Sequence, residues 1–265
     1  MTSPTPTSTG PGAAGGADPV LLVAHGSRDP RGAEATRALA RAVSAARPGT
    51  PVYASWLDHT EPGPTEVLRA LAAAGHDRAV LVPLLLTAAY HHRVDIPAAV
   101  AAAAHAGSSL AVRVTDVLGP ANGTVDPALL AGLRRRLGEA TPGRFDALVL
   151  AAAGTRDARA RGSVGRVAEA LGAEFGVPCR VSYASAAPPS TGLAVSRLRA
   201  AGARRVAVSA YFLAPGLFHD AVTEAARAAG AVAVAAPLTD APELADLVLR
   251  RVDDRSARPL VALAV

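Results

Sequence analysis

The sequence predicts an α/β fold of two similar domains, each a parallel sheet flanked by helices, related by internal duplication and separated by a cleft. Three observations lead there. Short apolar runs alternate with Ala/Leu/Arg segments of helical length, the pattern of successive βαβ units. The second half of the chain echoes the first at an offset of about 127 residues. The 265 residues, 50% of them hydrophobic and 18% charged, suffice for two cores of ordinary domain size.

Taken in order, strands are predicted over 20–24, 51–56, 79–84, 110–115, 147–152, 178–183, 205–210 and 231–235. Helices are predicted over 32–46, 65–74, 96–106, 127–139, 159–175, 191–201, 217–229 and 242–252. The first strand, Val20-Leu21-Leu22-Val23-Ala24, is apolar throughout, as a parallel strand covered on both faces requires. Ser27 or Asp29 can cap the helix that follows, which starts near Pro30. Glycine turns such as Ala74-Gly75-His76-Asp77 and Ala201-Gly202-Ala203-Arg204 close the second helix of each half. The most continuous apolar stretch, 96–106, is Ala-rich, contains His105 and falls short of the roughly 20 residues that span a bilayer, so it reads as a buried helix.

Residues 1–18 are rich in Ser, Thr, Pro, Gly and Ala without the basic and hydrophobic regions of a secretory signal, and read as a disordered tail. The expected domains are 19–122 and 123–253, with 254–265 as a C-terminal tail. A lone cysteine, Cys179, forms no disulfide within the chain, and the expected compartment is the cytoplasm. All 27 basic residues other than histidine are arginines, set against 22 acidic ones. They are scattered, with Arg134-Arg135-Arg136 as the one run of three, and aromatics make up 3% of the chain. That composition argues against nucleic acid as a partner.

The repeat is visible residue by residue. Leu21-Leu22-Val23-Ala24-His25-Gly26-Ser27-Arg28-Asp29 becomes Val149-Leu150-Ala151-Ala152-Ala153-Gly154-Thr155-Arg156-Asp157. Ala153 stands where His25 stands, and a methyl group can neither ligate a metal nor carry a proton. The first half is therefore expected to hold the active centre. His25 closes the first strand, and ligands of open α/β sheets bind beyond the carboxyl ends of strands. A second candidate segment, Leu84-Leu85-Leu86-Thr87-Ala88-Ala89-Tyr90-His91-His92-Arg93-Val94-Asp95, follows the third strand. The residue pattern admits either His91 or His92 as the imidazole facing His25, with Asp95 placed to orient a ring at His91. Aligned without gaps, His92 is the residue that faces His219.

Other cleft candidates are Ser27 and Arg28 in the first loop, Asp58 and Glu61 after the second strand, Ala89, Tyr90 and Arg93 around the histidine pair, and Arg156 and His219 in the second half. Arginines there would grip carboxylates in bidentate fashion. His59, His76 and His105 read as surface or structural residues. A Ser-dependent hydrolase is disfavoured, since Ser27 lacks the Gly-x-Ser-x-Gly setting, and no Gly-x-Gly-x-x-Gly marks a dinucleotide site.

Together, His25-Gly26-Ser27-Arg28-Asp29-Pro30 and the run from Pro83 to Pro97 resemble the sirohydrochlorin chelatases, the class II tetrapyrrole chelatases of siroheme and cobalamin synthesis. The resemblance spans roughly 19–252. It implies a lyase that inserts Fe2+ or Co2+, as substrate metal, into sirohydrochlorin, with His25 and His91 flanking the ion and no permanently bound cofactor. Fe2+ is the favoured ion. No membrane is implied, and a monomer suffices because both halves lie in one chain. The competing reading is a non-catalytic tetrapyrrole- or metal-binding protein.

Overall fold

Apolar runs with branched side chains build the two sheets of the computed structural model, which describes residues 17–88, 94–104, 110–120, 123–141, 143–254 and 259–260. In the first lobe β1 (Val20–Ala24) pairs in parallel with β2 (Val52–Trp56) and with β3 (Arg78–Pro83), and β3 pairs with β4 (Ala111–Val114). Helices α1 (Pro30–Ala46), α2 (Pro64–Ala73) and α3 (Ile96–Ala104) alternate with them. The second lobe repeats the plan. Its strands are β5 (Ala147–Ala152), β6 (Cys179–Tyr183), β7 (Val206–Tyr211) and β8 (Ala233–Val234), in the spatial order β6-β5-β7-β8. Its helices are α4 (Pro127–Ala140), α5 (Ala158–Phe175), α6 (Thr191–Ala200), α7 (Leu217–Ala228) and α8 (Pro242–Asp253). A last strand, β9 (Pro259–Leu260), lies in the stretch read as a tail and adds antiparallel to β4, so the first sheet runs β2-β1-β3-β4-β9.

Alternation along each strand divides the core. Val20 and Leu22 of β1 face one way with Val80 and Val82 of β3, while Leu21, Val23 and Leu81 face the other. The first set joins Leu148 and Leu150 of β5 and the apolar faces of α1, α4, α5 and α8 in one continuous cluster. The second set packs beneath α2 and α3, and β5 and β7 cover α6 and α7 in the same way. Four helices are thus sandwiched between two sheets. Each lobe keeps a smaller core on its outer side.

The helices of the inner layer are exchanged. α4 leaves β4 of the first sheet and packs on β7 and β8 of the second, whereas α8 leaves β8 and packs on α1 and β3. Arginines clip α8 in place. Arg47, at the end of α1, pairs with Asp253 at 2.6 Å, and Arg113 of β4 donates to the carbonyls of Val252 and Asp254 at 2.5 and 3.0 Å. Arg251 donates to the Val117 carbonyl at 2.9 Å and pairs with Asp126 at 3.1 Å, both side chains being largely buried. Asp126 also caps α4, accepting from the Ala128 amide at 2.9 Å. Arg251→Ala should therefore lower stability by about 2 kcal/mol, since it strands a buried carboxylate and a buried carbonyl. The midpoint of urea unfolding measures this. Among the described residues no helix is long and apolar enough to cross a membrane.

Candidate active site

The parallel register of β1 with β2 and β3 brings three strand exits to one edge of the first sheet. The loop leaving β1 is stitched to the loop leaving β2. The Leu57 amide donates to the Ala24 carbonyl at 3.0 Å, and the Asp58 amide donates to the His25 carbonyl at 2.9 Å. This closeness requires glycine at position 26. Its φ is +98°, and a Cβ there would lie 1.8 Å from the Asp58 carbonyl oxygen. Asp29 then starts α1 by accepting from the Arg31 amide at 3.0 Å, and Ser27 Oγ accepts from the Asp29 amide at 3.0 Å.

His25 is exposed at the meeting point of three cavities. The first, of about 440 Å³, runs between Ser27, Arg28 and α1 on one side and the stretch from Phe212 to His219 on the other. The second, of about 840 Å³, lies between Leu84 to Thr87 with Val94 and the second-lobe loop from Ala152 to Asp157. Both have mainly apolar walls. The third, of about 510 Å³, contains Trp56, Asp58 and Asp95 and is more polar. The protein thus offers two apolar chambers and one carboxylate-bearing chamber that share a single imidazole.

The other sequence candidates fall in different places. Ser27 and Arg28 line the first cavity, Arg156 lines the second and Asp58 the third. Asp58 also pairs with His59 at 3.3 Å. Glu61 is exposed and lines none of these three cavities. His219 lines the first cavity, but its Nε2 is 3.2 Å from the Ala235 carbonyl, which makes that nitrogen a donor to backbone, and its ring meets Phe212 edge-on. Ala89, Tyr90, His91, His92 and Arg93 lie outside the described residues. The residues on either side do line the site, Thr87 and Val94 in the second cavity and Asp95 in the third. His25 shares the third cavity with Asp58 and Asp95 and the first with His59 and His219, and among the described residues no three His, Cys, Asp or Glu side chains converge closely enough to hold a metal ion.

An ionic clasp that sequence reasoning missed crosses the cleft. Arg31, in the first turn of α1, holds Asp29 at 2.6 Å and Asp220 of α7 at 2.5 Å. Hydrogen bonds from Arg31 hold both carboxyls below their ordinary range. A depressed carboxyl stabilises the fold above its ordinary value of 3.8 and loses that contribution as pH falls through the depressed value, so acid should loosen the clasp. The melting temperature of Asp220→Asn is accordingly expected to fall less steeply than that of the parent as pH drops below 3.8. Equal slopes in the two proteins would show that the pair contributes nothing. A second tie is the Tyr211 hydroxyl, which donates to the Leu86 carbonyl at 3.1 Å across the lobes.

The described residues thus form two duplicated α/β lobes with His25 at a strand exit on a largely apolar cleft. The chain belongs to the CbiX family, whose family model matches residues 19–140 and again 147–255. The same fold occurs in SirB from Bacillus subtilis with Fe3+, with a TM-score of 0.76, 21% identity and coverage of 89% of this chain and 94% of that one. The cobalt complex of SirB from Bacillus subtilis subspecies spizizenii superimposes with a TM-score of 0.74 at 20% identity, covering 89% and 93%. CbiX described as the terminal enzyme for biosynthesis of siroheme in denitrifying bacteria gives 0.62 at 23% identity, covering 88% and 97%. Among curated proteins, a sirohydrochlorin cobaltochelatase of Methanothermobacter thermautotrophicus is 33% identical over 78 residues, 29% of this chain. The match spans 54% of that relative's length.

Proposed function

We propose that this protein is a sirohydrochlorin chelatase that inserts a divalent metal ion, Fe2+ in preference to Co2+, into the macrocycle held in the cleft. The carrying observation is His25, set at the exit of β1 where two apolar cavities and a carboxylate-bearing one converge, with Ala153 at the matching place in the other lobe. The reading is supported by the family, by the relative named as a cobaltochelatase, and by the iron and cobalt in the SirB structures.

His25 ligates the incoming ion and, once the ion has passed to the ring, takes up one of the two protons displaced from the pyrrole nitrogens, the second leaving to the other imidazole or to water. A neutral imidazole has one free ring nitrogen, so it serves the ion and the proton in turn. His91 supplies the second imidazole, on the strength of its place in the family motif. Nitrogen ligands suit Fe(II) and Co(II), and few protein ligands leave positions open for the pyrrole nitrogens. Apolar walls receive the macrocycle, and Arg28 on the first cavity, with Arg93 by its place in the family motif, meets its carboxylates. The segment 19–122 carries the metal chemistry, and 123–253 completes the cleft. The protein works as a single chain in the cytoplasm, without a resident cofactor.

An anaerobic absorbance assay tests this. Purified protein, free sirohydrochlorin and Fe2+ or Co2+ should give the spectrum of the metallated ring faster than the same mixture without protein. Tight binding of ring or metal with no acceleration for either ion would identify a carrier instead of a chelatase.

A further inference from the structure

The second lobe lost the histidine but kept the loop, and the loop is braced in a way the first lobe does not share. Arg161, on the first turn of α5, donates through Nη1 to the carbonyls of Thr155 at 3.1 Å and Arg156 at 2.8 Å. The matching position in the first lobe is Ala33, which has no such reach. Arg156 itself is exposed on the wall of the large second cavity.

Beside this loop stands Tyr183, the last residue of β6 and the counterpart of Trp56. A Cβ on Gly154 would lie 3.3 Å from Tyr183 Cβ, so the loop runs beside the base of that side chain. Tyr183 is only 7% exposed, lines the second cavity, and its hydroxyl makes no hydrogen bond among the described residues. That hydroxyl is also absent from the unpartnered polar atoms sealed in the interior, so it opens into the cavity. A phenolic hydroxyl that opens into a cavity without a protein partner is free to donate to a ligand. Burial raises the phenol's pKa, with the Arg161 charge acting the other way, so the group is a protonated donor at neutral pH. Two other polar groups on this wall are already engaged. The Asp157 carboxylate caps α5, accepting from the amides of Arg159 and Ala160 at 2.8 and 3.1 Å, and the Tyr211 hydroxyl is held by the Leu86 carbonyl.

An exposed guanidinium and a free phenolic donor on the wall of one largely apolar chamber, with the loop between them braced by a second arginine, are the chemistry of an anion site. We infer that Arg156 and Tyr183 form a carboxylate-binding subsite in the second lobe, which grips an acidic side chain of the macrocycle and fixes its orientation toward His25. This rests on the function proposed above. In the duplicated chain, the lobe without metal chemistry has become the lobe that sets how the ring lies.

The test is equilibrium binding of metal-free sirohydrochlorin to the full chain, read by fluorescence without any metal ion. Arg156→Gln should weaken binding by about tenfold or more, the loss of one charge-assisted hydrogen bond. Arg156→Lys, which keeps the charge, should recover much of it, and Tyr183→Phe should weaken binding several-fold with an unchanged melting temperature. Parent-like affinity in both Arg156→Gln and Tyr183→Phe would overturn the subsite while leaving the chelatase reading intact. Failure of the parent protein to bind the ring at all would overturn both.

Discussion

His25→Ala is expected to lower the rate of metal insertion by about 10²–10⁴-fold, the range for losing a positioned proton acceptor, with further loss from the missing ligand. The fold should survive. His25 is exposed, and the hydrogen bond its carbonyl accepts from the Asp58 amide is kept in the alanine variant, so the melting temperature should stay within the small range of surface substitutions. His76→Ala, at a turn on the opposite end of the first sheet, is the control and should leave the rate unchanged. A His25→Ala protein that inserts metal at the parent rate would remove the imidazole from the mechanism.

Gly26→Ala should act through structure and chemistry together. The added methyl group would overlap the Asp58 carbonyl oxygen at 1.8 Å, on backbone with a φ of +98° that side chains avoid. The loops leaving β1 and β2 would have to part, breaking the amide-to-carbonyl bond between Asp58 and His25. We expect a loss of about 3 kcal/mol or more and a fall in melting temperature of about 6–12 °C. Gly154→Ala provides the comparison. There a Cβ would lie 1.9 Å from the Ser185 carbonyl oxygen at a φ of +103°, so a similar loss of stability should follow. The rate with the ring bound at saturation should separate the two, because only Gly26→Ala displaces His25, whereas Gly154→Ala disturbs the loop that carries Arg156 and acts on ring affinity. A Gly26→Ala protein as stable as the parent would show that these loops are looser than the geometry requires.

Much of this architecture is legible in the sequence, because the forces that set it act locally. Fully apolar runs such as Val20 to Ala24 and Ala147 to Ala152 mark strands covered on both faces, and Asp29 and Asp157 mark helix starts by capping them. The helix boundaries agree to within two residues wherever a cap or proline fixes them. The strand expected over 231–235 is shorter in the structure, Ala233–Val234, since it lies at the sheet edge with a neighbour on one side only. His25 was legible because an ionisable residue directly after a buried strand stands at the carboxyl edge of the sheet.

What depends on distant pairing was not legible. α4 and α8 carry the same apolar stripes whichever lobe they cover, so nothing in the chain announces that they trade places. Arg31 meets Asp220 across 189 positions, and either residue alone reads as ordinary solvated charge. Tyr183 looks like the end of a strand, and its role follows from Gly154 and Arg161, which lie far away in sequence. β9 is too short for periodicity to mark it.

The traded helices bear on how the cleft can move. The polypeptide passes between the lobes twice, once between β4 and α4 and again between β8 and α8, and Arg251 on α8 grasps Val117 and Asp126 on the first of these passages. Two tethers fastened together restrict rocking to rotation about the line through both, much as a pair of door hinges permits swing and forbids slide. Swing about that line brings the two walls of the cleft back to one alignment around His25.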